Sequence, residues 1–99
     1  MAPKGYWIGH VDVQDDEAYK RYIQANGPVF EKYGGRFLVR GGPFENPEGT
    51  SRARHVVLEF VSYEQAKACY HSADYQDIIG LRTAVSTGDM VIVEGWDPN

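Results

Sequence analysis

Residues 33 to 42 read Tyr-Gly-Gly-Arg-Phe-Leu-Val-Arg-Gly-Gly, a short apolar segment with a glycine pair at each end. Gly34 can take the left-handed conformation that ends a helix, and Gly41 with Gly42 allows a turn that is closed to residues with a Cβ atom. The stretch therefore predicts a helix that ends near Tyr33 and runs into a strand over about residues 35–41. It decides much of the fold and little of the chemistry.

The segments before this stretch predict a strand and the helix itself. Residues 5–13 alternate between two sets of side chains, as a strand requires. Asp15 or Asp16 is placed to cap the helix that follows. Gly27 and Pro28 interrupt the helical pattern, and we expect them to kink or divide that helix.

The segments after it predict two more strands and a second helical region. Ser62 and Gln65 match a capping box, so a helix begins there. Asp74 is predicted to cap a further helical segment, and Ser86–Gly88 to form a turn. The predicted strands are Arg54–Val61 and Asp89–Gly95, and residues 42–53 form a proline- and glycine-rich loop that is long enough to act as a lid.

The predicted order of elements is β-α-β-β-α-β within a single domain of residues 1–99. This order is the ferredoxin-like signature of the α+β class, an antiparallel four-stranded sheet with helices on one face. Two helical regions on one face leave the other face of the sheet without cover.

Charge and composition exclude several classes of partner. Fourteen acidic and ten basic side chains give a net charge of −4, so a nucleic-acid backbone is repelled. No apolar run approaches the roughly 18 residues that a membrane span needs. The single cysteine, Cys69, excludes an internal disulfide. We therefore expect a cytoplasmic protein with neither a nucleic-acid nor a membrane partner.

Both faces of the predicted sheet carry apolar bulk, and this favours a homodimer through the sheet faces. Leaving several such side chains in water forfeits about 1.5–3 kcal/mol each, which a second copy recovers by covering them. A monomer with exposed apolar atoms is the alternative. We assign one face to Val11, Val56, Leu58, Phe60, Val91 and Val93, and the other to Ile8, Val57, Met90 and Ile92.

Segments spread over nearly the whole chain resemble the domain-of-unknown-function family 1330. The resemblance implies a dimeric α/β-barrel of ferredoxin-like subunits, in a superfamily that includes cofactor-independent monooxygenases, isomerases, haem-degrading or peroxidase-type domains and ligand-sensing modules. Residues 72–75 read Ser-Ala-Asp-Tyr where the family commonly has Ser-Pro-Glu-Tyr, a change that we expect the helix start to tolerate. The resemblance rests on residues 6–8, 33–42, 58–60, Ala66, Tyr70, 72–75, Arg82 and 94–95.

Arg40 is the first candidate for a functional side chain. It lies in a predicted strand next to the strand that carries Glu59, so a cross-strand pair of Arg40 with Glu59 is expected. One interpretation is that this pair orients the dimer interface; the other is that Arg40 binds a ligand carboxylate or phenolate.

His10 is a weak candidate for a general base. It shares a strand face with Asp12, and the topology brings it close to His55 and Glu59. Most such histidines are only hydrogen-bonded, and His71 is expected to be exposed. With no closely spaced histidine pair and one cysteine, we expect neither a metal site nor a cofactor, and haem ligation has no support.

Tyrosines supply the remaining candidates. Tyr22, Tyr70 and Tyr75, with Arg82, either belong to the core between helices and sheet or form the polar lining of an apolar pocket. Cys69 is expected to be a small core residue and not a nucleophile.

These observations favour a small homodimeric domain that binds a small organic molecule between sheet and helices. The candidate ligand contacts are Tyr22, Arg40, Tyr70 and Arg82, with Glu59 and Tyr75 as further ligand-binding candidates. One alternative is a cofactor-independent enzyme, monooxygenase-like or isomerase-like, in which His10 or a tyrosine moves a proton. A second alternative is a noncatalytic structural or interaction module.

Overall fold

The computed structural model of the protein describes residues 3–98, so residues 1, 2 and 99 of the predicted domain lie outside the described part. The strands form one antiparallel sheet in the order β2-β3-β1-β4. The ferredoxin-like prediction, with helices on one face of the sheet, is confirmed. The elements are β1 (Gly5–Val13), α1 (Asp16–Lys32), β2 (Arg36–Arg40), β3 (Arg54–Phe60), α2 (Tyr63–His71), α3 (Ala73–Gln76), α4 (Ile79–Thr83) and β4 (Ser86–Glu94).

Helix α1 runs without a break from its cap to the glycine pair. The Asp15 side chain accepts a hydrogen bond from the Ala18 backbone N–H at 3.1 Å, and Gly34 follows the helix with a φ of 75°. The predicted division at Gly27 and Pro28 is wrong. Gly27 lacks the Cβ atom that clashes with a following proline ring, so the helix loses one backbone hydrogen bond but keeps its course.

The second helical region begins as predicted and then differs in one cap. The Ser62 hydroxyl accepts from the Gln65 backbone N–H at 3.0 Å. The Gln65 side chain donates to the Tyr33 carbonyl instead of to Ser62, so only half of the capping box forms. The residue that caps α3 is Ser72, not Asp74 as predicted.

Strand β4 begins earlier than predicted. Ser86 already pairs with Val13 of β1, and no turn separates residues 86–88 from the strand. Gly88 is small for a different reason: a Cβ atom there would lie 2.8 Å from the His10 carbonyl oxygen. The glycine therefore permits a close approach of two strands.

The register of β4 also reverses its predicted faces. Ile92 pairs with Trp7 and belongs to the helix side, whereas Val91 and Val93 lie on the outer face, 56% and 42% exposed. The predicted grouping of Val91 and Val93 with Val11, and of Met90 with Ile92 on the other face, is wrong. An unbroken apolar run carries no alternation from which its phase could be read.

Trp7 holds the helices to the sheet. Its indole N–H donates to the Ala66 carbonyl oxygen of α2 at 2.8 Å. Its ring centroid lies 5.0 Å from that of Tyr75 and 5.1 Å from that of Phe30. One central side chain therefore contacts α1, α2 and α3.

The loop over residues 42–53 is fastened to the outer face of the sheet. Arg52 forms salt bridges with Asp12 at 2.9 Å and with Asp89 at 3.0 Å. The pKa of the Asp12 carboxyl is lowered, mainly by the hydrogen bond from the Ala53 backbone N–H and to a smaller extent by Arg52. The loop thus covers one end of the outer face and not the helix side. Among residues 3–98, no helix combines the length and apolarity needed to cross a membrane.

We predict that Gly5→Ala destabilises the fold. A Cβ atom at this buried position would overlap the Ser62 backbone and lie 2.6 Å from the Cα atom of Tyr63. The expected loss is about 1–3 kcal/mol, measured by denaturant unfolding.

The matched control is Gly80→Ala, because a Cβ atom there meets no atom within 4 Å. It should leave stability unchanged or raise it by up to about 1 kcal/mol. Equal stability of the Gly5 and Gly80 variants would contradict this account of the β1–α2 contact.

Candidate functional site

A cavity opens between the helix side of the sheet and α1. Gly9 forms the floor of the cavity. It has no side chain, whereas Trp7 and Val11, on either side of it on the same face of β1, both have large ones. The space leaves ≈ 50 Å³ for the centres of water-sized molecules. Since one water needs about 10–15 Å³ by this measure, the cavity has room for several.

A β-bulge in β2 brings Arg40 to this cavity. Phe37 pairs with Leu58 and Arg40 with Val56, and the register shifts between them at Leu38. The extra residue turns both Phe37 and Arg40 to the helix side, which regular alternation does not allow. The Arg40 guanidinium lies 4.1 Å from the Phe37 ring centroid, at the exposed mouth of the cavity.

Arg54 enters the same wall from the start of β3. It shares the inward phase of the strand with Val56 and Leu58, and its guanidinium lies 5.7 Å from the Tyr19 ring centroid. A Cβ atom at Gly41 would come within 2.9 Å of the guanidinium, so this glycine makes room for the arginine. The buried Arg54 Nε has no hydrogen-bond partner among residues 3–98.

Arg82 of α4 lies beside a pair of tyrosine hydroxyls. The Tyr22 and Tyr75 hydroxyl oxygens are 2.7 Å apart, and Arg82 lies 5.8 Å from the Tyr22 ring centroid. The pKa of Tyr22 is raised, mainly by burial and to a smaller extent by the neighbouring Tyr75, so its hydroxyl stays protonated. Burial lowers the pKa of Arg82 because it disfavours the charged guanidinium. The interactions with Tyr75 and Tyr22 together outweigh burial, so the pKa is raised overall.

Three arginines give the cavity a positive charge, and no carboxylate of residues 3–98 forms a salt bridge with any of them. Within the described part of the chain, the salt bridges involve Lys20, Lys32, Arg36 and Arg52, and none involves Arg40, Arg54 or Arg82. Asp89 touches the cavity, but its carboxylate binds Arg52. The arrangement is suited chemically to an anion with an apolar body.

Asn26 adds a neutral polar group to the wall. It lies on the buried stripe of α1, four residues after Tyr22 and four before Phe30, and is 4% exposed. Its Oδ1 atom has no hydrogen-bond partner within residues 3–98. A buried amide of this kind is unusual, since most buried polar atoms are paired.

The structure brings together four of the six residues that the sequence singled out for a ligand. Tyr22, Arg40, Tyr75 and Arg82 all line the cavity. Tyr70 lies behind this wall, with its ring centroid 5.6 Å from that of Trp7.

Glu59 lies on the opposite face of the sheet, and the predicted pair with Arg40 is wrong. The Glu59 carboxylate accepts from Arg36 at 3.1 Å and from the Tyr6 hydroxyl at 3.1 Å. The bulge at Leu38 is the physical reason, because it places Arg36 and Arg40 on different faces.

Sequence reasoning missed Arg54, Asn26 and Tyr19 as cavity residues. The signal for Arg54 was its position in the same two-residue period as Val56, Leu58 and Phe60, which places all four on one face of the strand. The signal for Asn26 was its four-residue spacing from Tyr22 and Phe30, which makes it the polar member of an otherwise aromatic stripe.

His10 forms a pair with His55 on the outer face, away from the cavity. Their Nδ1 atoms are 2.8 Å apart, so one ring donates and the other accepts. The Nε2 atom of His55 lies 3.2 Å from the Ser51 hydroxyl, and the Phe44 ring packs against His55 with centroids 4.5 Å apart. His10 is therefore near His55, as expected, but the expected closeness to Glu59 is wrong, because Glu59 pairs with Tyr6 four residues away along β1 and binds Arg36.

Cys69 and His71, the other candidates with reactive or metal-binding side chains, do not line the cavity. Cys69 is fully buried in the core, as predicted, and burial raises the pKa of its thiol to about 12. His71 is exposed. Within residues 3–98, no group of three or more His, Cys, Asp or Glu side chains is arranged to hold a metal ion.

Comparisons with known proteins connect this chain to one family and one fold. A model of the family described as Domain of unknown function (DUF1330) matches residues 4–96. No curated protein matches the chain.

Three solved structures share the fold. A protein of unknown function from Rhodopseudomonas palustris superposes with a TM-score of 0.78 at 18% identity, over 99% of this chain and 86% of that chain. SnoaB, a cofactor-independent oxygenase from Streptomyces nogalater, gives 0.66 at 11% identity, over 99% and 100%. A dimeric protein of unknown function with a ferredoxin-like fold from Bacteroides fragilis gives 0.55 at 14% identity, over 92% and 95%.

We predict that the Tyr22 and Tyr75 hydroxyls are energetically coupled. Tyr22→Phe and Tyr75→Phe should each reduce the free energy of unfolding by about 1–2 kcal/mol, because each leaves a buried hydroxyl without its 2.7 Å partner. The double variant should lose at least about 0.5 kcal/mol less than the sum. Strict additivity in a double-mutant cycle would show that the pair is not a stabilising unit.

Proposed function

The chain belongs to the family described as Domain of unknown function (DUF1330), and on this premise we propose that it binds a small organic anion in the cavity between sheet and helices. The anionic group faces Arg40, Arg54 and Arg82. The apolar part lies against Trp7 and over Gly9.

The observation that carries this proposal is that Arg40, Arg54 and Arg82 line one cavity and that, within residues 3–98, none of them forms a salt bridge with a carboxylate. A guanidinium group removed from water is costly unless an anion or hydrogen-bond acceptor compensates it. Arg54 and Arg82 are both half-buried, and the Nε atom of Arg54 is fully enclosed. A carboxylate or phenolate supplies the negative charge that both guanidinium groups lack and an acceptor for the Arg54 Nε–H, and arginine binds a carboxylate through two parallel hydrogen bonds.

The shape of the cavity limits the ligand to a small molecule. The cavity leaves ≈ 50 Å³ for the centres of water-sized molecules. Arg40, which is exposed, lies at its mouth. Aromatic side chains dominate the wall, including Trp7, Tyr19 and Phe37. A single ring with an acid group fits this combination of narrow apolar interior and cationic wall.

A cofactor-independent enzyme is the second candidate function for the same cavity. The paired hydroxyls of Tyr22 and Tyr75 lie in its wall beside Arg82, where they are placed to donate hydrogen bonds to negative charge that develops on a reacting ligand. The likeness to SnoaB, at 11% identity, supports the fold for such chemistry and no particular substrate. Consumption of a bound ligand, followed by mass spectrometry, separates this candidate from a noncatalytic binding module.

We further propose that the outer face of the sheet is covered by a second copy of this chain. Val91 and Val93 of β4 are exposed, and they pair with Ile8 and Tyr6 of β1. On its other side, Ile8 pairs with Val57 of β3. These side chains form a continuous apolar surface that the helices of the same chain do not reach. The Bacteroides fragilis structure with this fold is described as dimeric, which supports a copy of the chain as the occupant.

The proposal includes a cytoplasmic location and no nucleic-acid or membrane partner. Its support is the net charge of −4 and a single cysteine that is buried as a free thiol.

We predict that aromatic carboxylates raise the melting temperature of the protein. Benzoate at 100 times its dissociation constant should add about 2.7 kcal/mol, a shift of several degrees. Benzamide, which is neutral and of the same shape, should add much less. Arg82→Gln and Arg40→Gln should weaken the benzoate shift, whereas Arg36→Gln, an arginine of the same strand β2 on the opposite face, should retain it.

A second variant blocks the cavity without removing charge. A Cβ atom at Gly9 would make only ordinary contacts, the nearest at 3.6 Å to Met90, so Gly9→Val should fold and fill the floor. It should abolish the benzoate shift. A shift that is equal in wild type, Gly9→Val and Arg36→Gln would place the binding outside this cavity and contradict the proposal.

We predict that Val91→Glu dissociates the dimer, because it places a charge at the centre of the outer face. Val61→Glu is the matched control, since Val61 is 65% exposed beyond the end of β3. Sedimentation equilibrium should give a dimer for wild type and Val61→Glu, and a folded monomer for Val91→Glu. A monomeric wild type would contradict the proposed interface and leave the cavity proposal standing.

A further inference from the structure

The cavity wall contains two unsatisfied polar atoms of opposite kind. Asn26 presents a buried amide oxygen that lacks a donor, and Arg54 presents a buried Nε–H that lacks an acceptor, both judged within residues 3–98. Asn26 is 4% exposed, so bulk solvent does not compensate its amide. Each atom specifies the group that would satisfy it.

The two atoms lie on elements that meet at the cavity. Asn26 comes from α1 and Arg54 from β3, and both line the space above Gly9. The amide carries donors as well as an acceptor, so either orientation of its side chain leaves a buried polar group on this lining residue. A ligand that fills the cavity must therefore present a polar group to Asn26 in addition to its acid group.

From these atoms, and resting on the proposed function, we propose that the ligand is an aromatic hydroxy acid. Its acid group is bound by Arg54 together with Arg40 and Arg82, and its hydroxyl donates a hydrogen bond to Asn26 Oδ1. Asn26 is then the residue that selects a hydroxylated acid over the plain acid. Specificity follows because a ligand without the hydroxyl leaves the buried amide unpaired.

The charge of the cavity determines which donor is acceptable. An ammonium group would also donate to Asn26, but three guanidinium groups line the same cavity and repel a second cation. A hydroxyl is neutral and small enough for the ≈ 50 Å³ interior. Because it also accepts a hydrogen bond, it suits either orientation of the amide.

The test compares ligands with and without the hydroxyl on proteins with and without the amide. Benzoate and the three monohydroxybenzoates are titrated into wild type and Asn26→Leu by calorimetry. In wild type, at least one hydroxybenzoate should bind about tenfold or more tightly than benzoate. In Asn26→Leu, which keeps the branched shape and the number of side-chain heavy atoms but has no polar atom, that ratio should fall to within about twofold while benzoate still binds.

The outcomes separate this inference from the proposed function. If benzoate and all three hydroxybenzoates bind wild type equally, Asn26 selects nothing and the inference is wrong, although the anion site stands. The inference is also wrong if the preference is unchanged in Asn26→Leu. If none of the four acids binds wild type, both proposals fail. Should Asn26→Leu fold poorly, Asn26→Ala serves for the same ratio, because the comparison between ligands is made within one protein.

Discussion

The hydrogen bond from the Trp7 indole N–H to the Ala66 carbonyl, 2.8 Å long, is the contact on which the other features of this structure depend. Trp7 lies in β1, an interior strand of the sheet, and a buried indole needs an acceptor for its N–H. The bond fixes α2 over the sheet, while the ring supports Phe30 of α1 and Tyr75 of α3. With Gly9 next in the inward phase, β1 fills the space under the helices at Trp7 and leaves a cavity over Gly9. The core and the cavity are therefore two consequences of one strand sequence.

The two faces of the sheet then serve different purposes. The helix face ends in arginines without carboxylate partners, whereas on the outer face Arg36 and Arg52 bind Glu59, Asp12 and Asp89. A charged group that is already neutralised within the chain stabilises a surface, and one that is not neutralised is available to a ligand. The bulge at Leu38 creates this division within β2 by sending two arginines of one strand to opposite sides.

The sequence predicted the order of elements and several of their ends, because strand and helix periodicities and the glycine conformations are local properties. Gly34, Gly41 and Gly42 all have the positive φ that was expected of them. It failed where the answer depends on a neighbouring strand. The phase of β4 follows from its register with β1, and the apolar run of residues 90–93 shows no alternation of its own.

The candidate site was predictable to the extent that its residues follow a regular period. Tyr22 lies on the buried stripe of α1, and Tyr75 and Arg82 lie on the short helices α3 and α4; all three were identified, although a core role was also an available explanation. The partner assigned to Arg40 was wrong because a bulge has no clear signature in Arg-Phe-Leu-Val-Arg. Asn26 was missed because one amide within an aromatic stripe becomes informative only when its lack of a hydrogen-bond partner is known.

The most direct test of a cationic, aromatic-walled ligand site is a crystal structure grown with 4-bromobenzoate, in which the anomalous signal of bromine locates the ligand without reference to the protein. The account predicts one bromine peak per chain in the cavity above Gly9, with the carboxylate within hydrogen-bond distance of at least one of Arg40, Arg54 and Arg82. Bromine bound only on the outer sheet face, or a cavity closed by its own side chains at saturating ligand, would contradict it.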